Sequence, residues 1–504
     1  MAALGLSRIP LSSYNKPAAD LALDASCDEL VRLLSSGGDA RISLNPKNGL
    51  NKYFSAPYPR DLIAYSSSTV NDVSASAFAH LRVRLIEIAQ RSYADLLEGL
   101  RRRLSAAYAL PDATEIVFAA SGTDLEYVAL ACVLGKGRGG IHNVLLGADE
   151  IGSGCIHSAH GRFFARETAL GLPVEQAAEV QGCGSISLVD VPVRCSKGLA
   201  CESQEIFEAF AAEILIAKEA GKHCLIHLVH GSKTGLVLPE LSDLEALQNQ
   251  FPGDVTFVVD ACQARITSEA IGEYLKRGCI VLLTGSKFMG GPPFNGFALI
   301  PKNLAEGVTP LPSGFAQIFN RAEFPASWPG CELLPDNENR SLAMRLEAAI
   351  FELERFQSIP IDRVETMIAG FEEALHAQII EPLGIERVAP NFASKCELGS
   401  DRPIEMRTLA TLDVSMLPGL RTFEDAQKLH RDLAFSGIRL GQPVKCSRRI
   451  EGGKGEWGGT LRIGLSMPIM NEWAKLDQEL VAKQLADDFA EIAERMRLAT
   501  LSYA

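Results

Sequence analysis

The sequence has no uncharged apolar run of the roughly 18 residues a membrane-spanning helix requires, so no membrane span is expected. It has no Cys-x-x-Cys pair. Its twelve cysteines are scattered, so neither a zinc site nor a disulfide framework is expected, and a reducing cytoplasm is the simplest setting. Positive charge is not in excess either: 49 Lys and Arg against 62 Asp and Glu leave a net charge of −13, which argues against nucleic acid as the main partner. Nucleotide phosphate loops are unsupported, because no Gly-x-x-x-x-Gly-Lys-Ser/Thr occurs and the glycines at 135, 137, 139 and 140 follow an apolar helix rather than a strand. No Gly-x-Ser-x-Gly nucleophile elbow and no internal repeat is found. Met1 to Asn15 lacks the charged start and apolar core of a secretion signal.

What is present is an ordinary globular composition, 47% hydrophobic and 22% charged, over 504 residues, a length that implies two domains around a sizeable core. Short apolar runs bounded by Gly and Pro read as buried parallel strands at 115–119, 143–147, 185–193, 224–230, 255–259 and 279–284. Residues 1–75 read as a mostly irregular, polar arm, with turn chemistry around Asn45–Tyr53. Helical spacing covers 75–107 without a break and returns from Ser341 to Phe356. The segment 311–340, rich in Pro, Phe and Asn, reads as a loop.

Two strand exits carry the chemistry. Val255–Val259 runs into Asp260-Ala261-Cys262-Gln263, and Cys279–Thr284 runs into Gly285-Ser286-Lys287. In parallel sheets function gathers at the carboxyl edge, so Asp260 and Lys287 are expected to share a crevice. A lysine amine made neutral by its surroundings suits a bond to an aldehyde, and an aspartate suits a pyridine nitrogen; pyridoxal phosphate has both groups. Gln263 could reach the ring hydroxyl, and Thr284 and Ser286 could reach the phosphate. Ser121-Gly122-Thr123, a Gly-containing turn between a strand and a helix, offers backbone N–H groups as a phosphate cradle. His223, His227 and His230 do not share one face of their strand, and His157-x-x-His160 has no third ligand nearby, so no metal site is expected.

The motifs Asp260-x-x-Gln263 and Thr284-x-x-Lys287, in this order, resemble those of the fold-type I pyridoxal-phosphate enzymes. The closer likeness is to their class V aminotransferase-like group, which includes cysteine desulfurases and kynureninases. The resemblance implies a large domain (76–340) with a seven-stranded, mostly parallel sheet and a smaller α/β C-terminal domain (341–504). It also implies a homodimer with pyridoxal 5′-phosphate held by Lys287 as a Schiff base. In that frame Gly231-Ser232-Lys233-Thr234-Gly235 stands where the group places a cofactor-contacting turn, with Ser232 in place of Asn. His157 is a candidate to stack on the ring, and Ser341 to reach a neighbouring subunit's phosphate. Arg462, within Thr460-Leu461-Arg462-Ile463-Gly464, would grip a substrate carboxylate; Asn51 and Tyr53 would line the entrance. The implied activity is amino-acid aminotransfer, with lyase or cysteine desulfurase chemistry as one alternative and a catalytically inactive cofactor-binding protein as another.

Overall fold

The computed structural model describes residues 18–66, 71–148, 150, 152, 154–388, 404–451 and 454–501. Its centre is a sheet with the strand order β2 (Glu115–Ala119), β9 (Gly296–Ile300), β8 (Ile280–Thr284), β7 (Val255–Asp260), β5 (His223–His230), β3 (Ile141–Leu146), β4 (Ile186–Val191). All seven run parallel except β9, which is antiparallel to both its neighbours, and a two-residue strand, β6 (Val237–Leu238), folds back on β5. The expected seven-stranded, mostly parallel sheet is therefore present.

The apolar runs are continuous because both faces are covered. Alternate residues of one strand point to opposite layers: Val281 and Leu283 join one core with Phe118, Phe257 and Phe297, whereas Ile280 and Leu282 join the other with Val117, Val258 and Ala298. Each such side chain contributes roughly 2 kcal/mol by leaving water. The sheet is accordingly a rigid floor, and its carboxyl edge collects the loops after β2, β3, β5, β7 and β8.

Two expectations gain detail. The N-terminal segment is irregular over most of its described residues, as expected, but not throughout. It holds helix α1 (Ala18–Leu34), whose Leu30, Leu33 and Leu34 are buried, and strand β1 (Ile63–Tyr65), which pairs in parallel with β12 (Ile438–Leu440) of the C-terminal part. The helical stretch from Ala75 is two helices, α2 (Ala75–Gln90) and α3 (Tyr93–Tyr108). Ser92 is extended (φ −63, ψ 151) and its hydroxyl caps the second by accepting from Asp95 N at 3.1 Å, which ends one helix and starts another.

A long helix, Arg340–Gln357, follows the loop 311–340 and packs on α1, α2 and α3. Beyond it a three-stranded antiparallel sheet, β10 (Glu386–Arg387), β11 (Leu409–Asp413) and β15 (Thr460–Gly464), lies with β12 and a hairpin of β13 (Arg448–Glu451) and β14 (Lys454–Trp457). Gly452 and Gly453 of the glycine-rich run lie outside the described residues. No helix among the described residues is long and apolar enough to cross a membrane.

Candidate active site

Three strand exits meet at Gly122. A Cβ there would stand 2.9 Å from Thr284 Cγ2 and 3.3 Å from Cys262 Sγ, so the turn after β2 lies directly on the exits of β8 and β7. Glycine is what allows that approach. Ser121 Oγ donates to Asp124 Oδ2 at 2.5 Å, and burial pushes the Asp124 carboxyl up to about 7. Gly154, after β3, closes on the same turn, its Cβ position being 3.1 Å from Thr123 Cγ2.

Asp260 is the last residue of β7; its Oδ1 accepts from Cys262 N at 2.9 Å, which orients the carboxylate. Lys287 is the one residue from 280 to 300 that is not buried, so it borders an opening in an otherwise closed wall. Acid and amine both lie within electrostatic reach of the same two thiols, Cys155 and Cys262. Burial above all pushes Cys155 and Cys262 up; the Asp260 charge adds to this and the Lys287 charge opposes it. Gln263 is buried and its Oε1 has no hydrogen-bond partner among the described residues, which leaves an acceptor for a bound group. Ser286 is buried beside Lys287. Thr284 differs from the expectation of a phosphate donor: its hydroxyl donates to Cys262 O at 2.6 Å and ties the two strand exits together.

Behind Asp260 stand two residues that the sequence did not single out as a pair. Glu126, from helix α4 (Leu125–Ala131), and His227, from β5, are each 1% exposed with Oε2 and Nε2 3.5 Å apart. Their separation is that of an ion pair, yet burial, with Asp260 adding to it, raises Glu126 well above the carboxylate range, and burial lowers His227 to about 3. Because each sits in apolar surroundings and meets no counter-charge besides the other, the neutral forms prevail.

The turn after β5 is organised by Glu150. Its carboxylate pairs with Arg194 and accepts from Ser232 Oγ and Thr234 Oγ1, each at 2.6 Å. Ser232 Oγ also accepts from Thr234 N and Leu236 N, so the proposed cofactor contact is used within the turn instead. Lys233 was not among the candidates, although its turn was. Burial foremost, then the charges of Arg462 and Lys287, lowers it to about 8. Arg462 is buried on β15, donating through Nε to Gln442 O at 2.8 Å and through Nη1 to Lys233 O at 3.3 Å.

Other candidates stand elsewhere. His157 follows Cys155 by two positions on helix α5 (Cys155–Ala159), about 200° round the axis, so the helix face turned to Asp260 and Lys287 is that of Cys155. Ser341 is turned into its own chain, where Ser36 Oγ lies 2.9 Å from its hydroxyl; no contact to a neighbour is needed to satisfy it. Asn51 Oδ1 accepts from Tyr53 N and Ser55 N at 2.8 and 3.1 Å and so shapes its own loop. Tyr53 lies with its ring 6.1 Å from that of Phe294, in the loop after Lys287. Arg41, also unforeseen, spans the rings of Phe164 and Phe294 at 5.3 and 5.1 Å and points Nη2 at Ser121 Oγ, 3.5 Å away.

No family model and no curated protein matches the sequence. Solved structures do. A ureidoglycine–glyoxylate aminotransferase from Bacillus subtilis is 12% identical over 88% of this chain and 98% of its own, with a TM-score of 0.50. A NifS-like protein is 13% identical over 86% of this chain and all of its own, also at 0.50. At these identities the likeness establishes the fold, fold-type I, and no more.

Proposed function

We propose that the protein is a pyridoxal-phosphate-dependent enzyme acting on an amino acid, with aminotransfer as its reaction. What supports this reading is that the exits of β7 and β8 converge on Gly122, that Asp260 and Lys287 both act on the thiols of Cys155 and Cys262, and that no described residue satisfies the buried acceptor of Gln263. Backbone N–H groups of Ser121, Gly122 and Thr123 would hold the phosphate, Asp260 the ring nitrogen, Gln263 the ring hydroxyl, and Lys287 the aldehyde carbon. Bound there, the cofactor supplies an electrophilic aldehyde and a ring that accepts electrons from the substrate Cα.

The chain's own part is to place protons and charge. Asp260 would keep the ring nitrogen protonated, Arg462 would fix the substrate carboxylate, and the Lys287 amine would take the Cα proton and deliver it to the cofactor's former aldehyde carbon, the shift that aminotransfer requires. The buried walls of β7 and β8 keep water from competing for it. A sulfur-transfer reading is less favoured: burial pushes the thiols of Cys155 and Cys262 up and disfavours their thiolates, and Cys331 is buried with its thiol directed at Ala326 O. The same reading takes Lys287 as part of a large domain of residues 76–340 and Arg462 as part of a smaller one, 341–504. It also makes the protein a cytoplasmic homodimer; the eleven free thiols among the described residues fit a reducing setting.

Borohydride treatment of protein incubated with pyridoxal phosphate should leave a pyridoxyl group on Lys287 by peptide mass, absent in Lys287→Ala. Mixing the loaded protein with a panel of amino acids and a keto acid should then produce a new amino acid. No label on Lys287 would end the cofactor assignment, and labelling without amino exchange would end the aminotransferase assignment.

A further inference from the structure

The N-terminal segment reaches the turn at Ser121–Thr123 on a fixed strap. Arg345 of the long helix is fully buried and donates to Phe294 O and Gly37 O, each at 2.7 Å, and to Ser36 O. Asn339 Nδ2 donates to Gly37 O as well, at 3.0 Å. One guanidinium therefore bolts residues 36–37 and the loop after Lys287 to the same helix. Phe294 is held there at φ +70, a left-handed conformation that a bulky residue keeps only where its surroundings impose it.

The strap delivers Arg41. Its guanidinium lies over the rings of Phe294 and Phe164 at 5.1 and 5.3 Å, and Asp39 accepts from Nε and Nη2 at 2.8 and 2.6 Å. Two rings and a bidentate carboxylate leave the fork little freedom. Asp39 compensates the charge but occupies one edge of the fork alone. The other edge is Nη1, which has no hydrogen-bond partner among the described residues, and the second N–H of Nη2, which stands 3.5 Å from Ser121 Oγ, the outer limit of a hydrogen bond. The side chain is 25% exposed, so that edge is open to a ligand. Ser121 Oγ has its own proton committed to Asp124 Oδ2. Burial pushes Asp124 up to about 7, with the Asp39 charge adding to this and the Arg41 charge opposing it, so one of the two carboxyls beside the turn sheds much of its charge at neutral pH.

We propose that Arg41 is a phosphate-binding residue, the open edge of its guanidinium taking two oxygens of the cofactor phosphate held at Ser121-Gly122-Thr123. A planar fork suits two phosphate oxygens as it suits a carboxylate. This deepens the cofactor reading, rests on it for the identity of the anion, and extends the site into the N-terminal segment. Asp39 and Arg345 act through Arg41 and are positioning residues.

Pyridoxal, which has the ring and the aldehyde without the phosphate, separates this contact from a general effect on the pocket. Absorbance titrations with pyridoxal phosphate and with pyridoxal give the two affinities. Arg41→Met should weaken pyridoxal phosphate about 10- to 100-fold, the range of one charge-assisted contact, and leave pyridoxal within about two-fold. Arg41→Lys, a point charge without the fork, should restore part of the loss. Unchanged pyridoxal phosphate affinity in Arg41→Met overturns the proposal, as do equal losses for both compounds, which would mark a structural role. Calorimetric titration with inorganic phosphate removes the dependence on the cofactor. Phosphate binding that is lost in Arg41→Met, in a protein whose Lys287 takes no pyridoxyl label, would retain the Arg41 contact and end the cofactor reading. Labelling of Lys287, with pyridoxal phosphate affinity unmoved by Arg41→Met, would do the reverse. Neither label nor phosphate binding would overturn both.

Discussion

Replacing Glu126 by glutamine separates two accounts of the buried Glu126–His227 pair. Read by distance alone, 3.5 Å between Oε2 and Nε2 is a salt bridge, and removing one charge from a buried ion pair costs about 3–5 kcal/mol. Read by environment, burial and the nearby Asp260 keep Glu126 protonated, and burial keeps His227 neutral, so below pH 4.5, where the unfolded chain is protonated too, an isosteric amide replaces a neutral carboxyl and costs under about 1 kcal/mol. The pH dependence sharpens the contrast. A carboxyl whose folded pKa is raised contributes stability that is complete below its unfolded value of 4.5 and is lost as pH rises toward its value in the folded protein. Glutamine does not titrate. Glu126→Gln should therefore gain on the wild type by about 1.4 kcal/mol per pH unit across that span. The depressed His227 contributes in the opposite sense, losing stability as pH falls below 6.5, but it does so in both proteins and cancels in the difference. Urea unfolding of the two proteins in steps from pH 5 to pH 8 measures it. A loss of 3 kcal/mol or more at pH 7, with no drift in the difference across the range, would refute the neutral pair.

Gly122→Ala places a methyl group 2.9 Å from Thr284 Cγ2 and 3.3 Å from Cys262 Sγ, so it should lower stability by about 1–3 kcal/mol and weaken pyridoxal phosphate binding more than ten-fold by fluorescence titration. Ser232→Ala removes a donor from the buried Glu150 carboxylate and should lower the unfolding free energy by about 1–3 kcal/mol while leaving cofactor affinity within about two-fold, which a paired denaturation and binding measurement would read.

Strands were the legible part of this chain. Glu115–Ala119 and Gly296–Ile300 stand where their apolar runs indicate, because a strand buried on both faces writes itself as an unbroken apolar segment between turn residues. The carboxyl-edge placement of the loops holding Asp260 and Lys287 follows from that parallel order. Helix α1 was readable too, since Leu30, Leu33 and Leu34 have helical spacing, but the Asn- and Pro-rich turns after it dominated the segment. What could not be read were partners set by tertiary contact. Ser232 sits in a turn whose pattern suggests a ligand contact, and only the approach of Glu150 from the loop after β3 shows where its hydroxyl goes. The β1–β12 pairing, three residues long and joining opposite ends of the chain, is likewise invisible to any local pattern.

The Glu150 network also explains why Lys233 is positioned at all. The Ser232 hydroxyl turns back to Glu150, which Arg194 and Thr234 hold as well. That closure draws the backbone of residues 232–236 into a tight turn, with Gly231 and Gly235 at φ +79 and +88, values that glycine adopts without strain. The N–H of Lys233 is thereby tied to Glu150 O and its carbonyl presented to Arg462. The two side chains become coupled through one peptide unit: a change that loosens Glu150 moves Lys233 and Arg462 together. Disrupting the network with Arg194→Met should consequently displace the Lys233 carbonyl from Arg462 and weaken binding of a simple carboxylate such as butyrate several-fold by titration calorimetry; unchanged affinity would show that Glu150 does not position Arg462.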